Sequence, residues 1–138
     1  MLNMNQAELR LPNEILTKAI KSGNEYGWKK EDVLCTIEAA RQIPMATIGG
    51  QVQYVWPDGT CELYWLSYDS EKRKINENWI SYCNRTALEC SEKFKALITT
   101  DIEEEAINSF DTIKIKHESG IVLIDHQIFI LYFNDSPI

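Results

Sequence analysis

Between residues 51 and 68 the chain carries the feature that most restricts its fold: two runs rich in β-branched and aromatic residues, joined by Pro57-Asp58-Gly59. Gln51-Val-Gln-Tyr-Val-Trp56 alternates polar and apolar side chains, and Thr60 to Tyr68 returns with Leu63, Tyr64 and Trp65. A tight turn between two such runs specifies an antiparallel hairpin with one face toward a core. Just upstream, Met45-Ala-Thr-Ile48 reads as a short strand and Gly49-Gly50 as a bulge or sharp bend. That Gly pair lacks the third glycine, following helix and Lys-Ser/Thr of a phosphate-cradling loop.

The flanking segments carry helical spacing. Pro12 suits a first helical turn, and Ile15, Leu16, Ala19 and Ile20 predict a helix that stops at Gly23. Glu31 and Asp32 precede the stripe Val33, Leu34, Ile37 and Ala40, a second helix ending near Gln42 ahead of Pro44. Trp79, Cys83, Ala87, Cys90, Phe94 and Leu97 define a long amphipathic helix capped by Asn76 or Asn78. Asp101-Ile-Glu-Glu104 has capping-box spacing, so 101–109 is either a short helix or an acidic loop. Thr112-Ile-Lys-Ile-Lys-His117 alternates strictly, and Ile121–Ile124 and Ile128–Phe133 are β-rich, so 112–133 is expected to be a terminal set of strands. The expected fold is one α+β domain over 1–138, mainly antiparallel sheet with helices packed on one face.

The chain's 138 residues include 21 acidic and 14 basic side chains, a formal charge of −7. Such a surface repels phosphate backbones, and the richest basic run, Lys72-Arg73-Lys74, is flanked by Glu71 and Glu77; nucleic acid is not an expected partner. A basic protein would be steered toward it. The first ten residues lack the basic start and apolar run of a secretory signal, and Ile121–Phe133 is interrupted by Asp125, His126 and Gln127. No membrane span is expected. Cys35, Cys61, Cys83 and Cys90 follow neither Cys-x-x-Cys spacing nor a disulfide framework, which points to reduced thiols in the cytosol.

Reaction chemistry has few candidates in the sequence. His117 and His126 each adjoin an expected strand turn, outside metal-binding spacing, and read as solvent-facing turn residues rather than a histidine pair. Cys83 and Cys90, seven apart, share the apolar face of the long helix and read as core. No catalytic residue, metal or cofactor is assigned. An enzyme, if this is one, would be a small hydrolase pairing Cys35 or Cys61 with His117 or His126.

Aromatic residues and carboxylates are a stronger signal. Alternation places Tyr54 and Trp56 on one face of the hairpin, and Tyr64 and Tyr68 on the face opposite Trp65. One face should be core and the other could present interface anchors. Trp56, Asp58, Glu62, Tyr64, Tyr68 and Asp69, together with the acidic run Glu103, Glu104 and Glu105, are therefore the candidate protein-binding residues. For the acidic run a solvated face is the default reading, and a docking surface for Lys or Arg on a partner is the sharper alternative.

The order and spacing of Trp28, Glu31-Asp-Val-Leu34, Ile37-Glu38, Ile48-Gly-Gly-Gln-Val52, Pro57-Asp-Gly59 and Trp79-Ile-Ser-Tyr82 resemble a known family over residues 13–98. It is similar to the bacterial polymorphic-toxin immunity proteins of the immunity protein forty family. The resemblance implies a cytosolic bacterial protein that binds and blocks the toxin encoded beside it. It supplies no binding residue. The expected partner is a cognate, basic toxin domain; the alternatives are the small hydrolase and an adaptor for a protein that is not a toxin.

Overall fold

The structure, a computed structural model, describes residues 6–136. Its architecture turns on the glycine pair. Strand β3 (Ala46–Gly49) runs into β4 (Gln51–Trp56), and near the other end of the chain β6 (Gln127–Ile130) runs into β7 (Tyr132–Asn134). The two bent ribbons pair antiparallel: β4 with β6 in one sheet, β3 with β7 in another. At the bend the backbones nearly touch. A Cβ on Gly50 would lie 1.6 Å from the Ile130 carbonyl oxygen, and Gly49 has φ +145°, so both positions require glycine.

The larger sheet has the order β1-β2-β6-β4-β5, every neighbour antiparallel, with β1 at Ile20–Ser22, β2 at Glu25–Trp28 and β5 at Gly59–Ser67. A helix was expected over the first of these strands. Only Asn13–Leu16 (α1) is α-helical there, and Gly23-Asn24 forms a hairpin turn with Gly23 at φ +62° rather than a helix stop. Trp28 is fully buried beside α1, its indole N–H donating to the Ile15 carbonyl at 3.0 Å.

Helix α2 (Val33–Gln42) and helix α3 (Trp79–Leu97) form as the spacing predicts, burying Val33, Ile37 and Ala40, and Cys83, Ala87, Cys90 and Phe94. Asn78 caps α3 by accepting from the Ser81 N–H at 2.9 Å. Asp101 does the same for α4 (Ile102–Ser109), accepting from Glu104 N–H at 3.0 Å, so the acidic run opens a helix. Inward-facing Val52, Tyr54, Leu63 and Phe129 share one core with Phe94, Ile102, Ala106 and Ile113 from the helices.

The sheet's other face carries a polar network. Gln53 donates to Glu25 at 2.9 Å, Ser22 donates to Gln53 at 2.9 Å, and the Tyr132 hydroxyl donates to Glu25. Helices on one face and polar groups on the other make this an α+β fold with antiparallel sheet.

The expectation fails over 112–126. Residues Asp111–Glu118 form helix α5, and Leu123–His126 is a 3-10 turn; strand returns only at β6. The alternation of Ile113 and Ile115 is real, yet only Ile113 is buried while Ile115 is 64% exposed. Packing of α5 on α4 overrides the β preference of that segment.

Candidate protein-binding surface

Regular pairing of β4 with β5 ends at Val52 opposite Leu63; the next pair is Gln51 with Ser67. Tyr64, Trp65 and Leu66 are the extra residues of this wide bulge, which breaks the inward–outward alternation. Leu63 is buried, Tyr64 and Trp65 are 71% and 41% exposed, and Tyr68 is buried again. The two exposed rings meet edge to face, with centroids 5.1 Å apart and an interplanar angle of 87°. Trp65 also lies over Phe110, which joins α4 to α5, and its indole N–H donates to Glu105 at 2.9 Å. Glu105 thus fixes the indole while its charge stays on the surface. Glu62, exposed one pleat away on β5, accepts from the Gln51 amide at 3.2 Å.

Of the candidate residues read from sequence, Tyr64 and Glu105 are brought together here, both next to Trp65, with Glu62 nearby along β5. The key tryptophan, Trp65, is missing from that set. Strict alternation assigned it to the opposite face, and the bulge that turns it outward has no signature in the sequence.

Other candidates have different roles. Trp56 is 7% exposed: Lys116 Nζ lies 4.9 Å from its ring centroid, and His126 packs against it at 4.6 Å. Its indole nitrogen has no acceptor among the described residues. Asp58, at the hairpin turn, pairs with Lys116 at 3.3 Å. Tyr68 is fully buried and donates to the Ile130 carbonyl at 2.6 Å, locking the ribbon crossing. Burial therefore removes Trp56 and Tyr68 from any surface. Asp69 accepts from the Gly50 N–H at 3.2 Å, a structural use at the same crossing.

The acidic run is divided by the helical period. Glu104 takes part in the α4 cap and Glu105 holds Trp65. Glu103 lines a cavity of about 370 Å³ with Lys30, Thr100, Asp101, Ile124 and Gln127. Behind that wall the Tyr54 hydroxyl accepts from Gln127 at 2.9 Å. Burial, helped by the nearby Glu103 and Asp101 charges, pushes the Tyr54 hydroxyl up to about 12.

His117 sits in the last turn of α5, and His126 ends the 3-10 turn with Nδ1 3.0 Å from the Val55 carbonyl oxygen; neither adjoins the strand turn expected from sequence. Among the described residues no hydrogen bond joins a cysteine to either histidine. Cys61 Sγ lies 3.6 Å from the Thr112 hydroxyl, and exposed Cys35 donates to the Asp32 carbonyl. Cys83 and Cys90 are buried in the core, and burial pushes the Cys90 thiol up to about 12, away from nucleophilic character. No group of three His, Cys, Asp or Glu side chains among the described residues could hold a metal ion, and no helix among them is long and apolar enough to cross a membrane.

Comparison with protein-family models, curated proteins and solved structures gives no match.

Proposed function

We propose that this protein is a stoichiometric inhibitor, an immunity protein that binds and neutralises a cognate bacterial toxin domain in the cytosol. One observation carries the reading: Tyr64 and Trp65 stand together on the surface, held edge to face and pinned by Glu105. Exposed aromatic pairs of this kind are the usual anchors of protein interfaces, and a fixed rotamer lowers the entropy lost on docking. The surrounding charge specifies the partner. Glu62 and Glu105, on a chain of net charge −7, favour Lys and Arg on the facing surface and speed the encounter. The sequence resemblance to the immunity protein forty family supports a toxin as that partner, and the four free cysteines suit a reducing compartment.

Inhibition requires a rigid complementary surface, typically about 1,600 Å² in total, and no reaction of its own. The test is titration of the purified chain with the toxin domain encoded beside its gene, by calorimetry and by toxin activity. A one-to-one complex with nanomolar or tighter affinity and loss of toxin activity is the expected result. No complex at micromolar concentration overturns the reading.

A further inference from the structure

Residues 68–78 join β5 to α3 without regular secondary structure, yet they are tied down along most of their length. The Ser70 N–H donates to the Ile48 carbonyl at 3.0 Å, covering the free edge of β3. Lys93 donates to the Asp69 carbonyl at 2.5 Å, and Glu71 N–H donates to Glu89 at 2.9 Å. Arg85, on α3, is the hub. It donates to the carbonyls of Glu71 at 3.3 Å and Lys72 at 3.0 Å, to both Glu77 oxygens at 2.6 and 2.8 Å, and to Glu89 at 3.0 Å.

Glu77 completes a second closure. Its carboxylate accepts from the Lys74 N–H at 3.1 Å, and its own N–H donates to the Lys74 carbonyl at 3.1 Å, forming a four-residue turn with Ile75 and Asn76 at the centre. The Arg85 guanidinium beside it holds the Glu77 carboxyl down to about 2. Arg73 lies over the Trp79 and Tyr82 rings and donates to the Glu77 carbonyl at 3.1 Å.

Covering the β3 edge is complete by Ser70. Within the remainder, 72–77, Arg73 covers the Trp79 and Tyr82 rings, and at the tip Ile75 is 99% exposed, directly after exposed Lys74 and three residues past exposed Lys72. A single exposed isoleucine is ordinary on a surface. Here it occupies the centre of a turn, where Pro, Asp, Asn, Ser and Gly are the usual residues, and a nearby arginine and carboxylates fix the backbone beneath it. The backbone that presents this side chain is held in place before any partner arrives, so binding loses little further backbone entropy.

We infer that the turn 74–77 is a preorganised anchor: Ile75 enters an apolar pocket on the protein partner, and Lys72 and Lys74 pair with carboxylates at that pocket's rim. The inference rests on the toxin-neutralising reading for its partner. It adds a contact opposite in sign to the acidic aromatic platform, so the partner presents basic side chains to one element and acidic ones to the other. Arg85 is a positioning residue that acts through the turn.

The test uses the full chain and the toxin domain from the neighbouring gene. Ile75→Asp, Ile75→Leu, the pair Lys72→Glu/Lys74→Glu, and Arg85→Ala are titrated by calorimetry, with thermal unfolding in parallel. Ile75→Asp is expected to weaken binding about 30-fold or more at unchanged melting temperature, because the wild-type side chain is almost wholly in solvent. Ile75→Leu retains affinity, and the charge reversal weakens it most at low salt. Arg85→Ala weakens binding in the wild-type background and adds little on top of Ile75→Asp, since its effect passes through the turn. Wild-type chain that binds the toxin while Ile75→Asp binds equally well overturns the anchor and leaves the toxin reading standing. Wild-type chain that does not bind overturns both.

Discussion

The two ends of the β4–β5 hairpin begin with the same materials, an indole and nearby carboxylates, and put them to opposite uses. At the turn, Lys116 reaches back over the Trp56 ring face and pairs with Asp58, so the cation meets both the ring and the anion within the chain. At the bulge, Glu105 holds Trp65 through a neutral N–H donor, with no ion pair to Glu105 among the described residues and both rings outward. An acidic aromatic cluster is therefore not a binding surface by composition alone. What decides is whether a cation of the same chain already occupies it.

Three variants bear on that contrast. The largest effect belongs to the sealed end. Trp56→Ala is expected to destabilise the fold by about 3–5 kcal/mol in urea unfolding, as for other buried large-to-small changes. A loss under about 1 kcal/mol would show that the ring is dispensable packing and that the two ends are alike. At the open end, the double change Tyr64→Ala/Trp65→Ala should lower toxin affinity about 100-fold, or about 2.7 kcal/mol, with stability changed by about 1 kcal/mol. Affinity unchanged with stability lost would reassign the platform to folding. The smallest effect is expected for Lys116→Met, which removes an exposed pair and a cation–π contact and should cost about 1 kcal/mol or less. If that variant gained affinity for the basic partner, the freed Asp58 would have become a second acidic contact.

Much of the architecture was legible because it is local. Helices α2 and α3 and the Pro57-Asp58-Gly59 hairpin follow from side-chain period and turn chemistry within about a dozen residues, which also narrow the α3 cap to Asn76 or Asn78 and leave Asp101 as a helix start or part of an acidic loop. What was misread depends on distant contacts. Ile113 and Ile115 alternate as a strand would, yet α5 packs on α4 and leaves Ile115 in solvent. Residues 12–22 held helical spacing, but Gly23-Asn24 was itself a hairpin signal that would have divided the segment. The candidate site suffered in the same way. Tyr64 and Glu105 are where a surface reading needs them, whereas Tyr68 and Trp65 exchanged places because a three-residue bulge shifted the register. Ile75, within a polar run, carried no sequence signal at all.

The strand order has a consequence for the timing of folding. Strand β6 lies in the middle of the larger sheet, between β2 and β4, but it is the last strand of that sheet in the chain. During synthesis β1, β2, β4 and β5 leave the ribosome first, as two separate hairpins with one hydrogen-bonding edge of each unfilled. Long-range pairing of this kind is slow and exposes those edges to other chains meanwhile. The Tyr68 hydroxyl finds its Ile130 acceptor only once β6 slots between the hairpins. A nascent chain stalled before Gln127 would therefore carry Tyr64 and Trp65 with no completed scaffold to hold them.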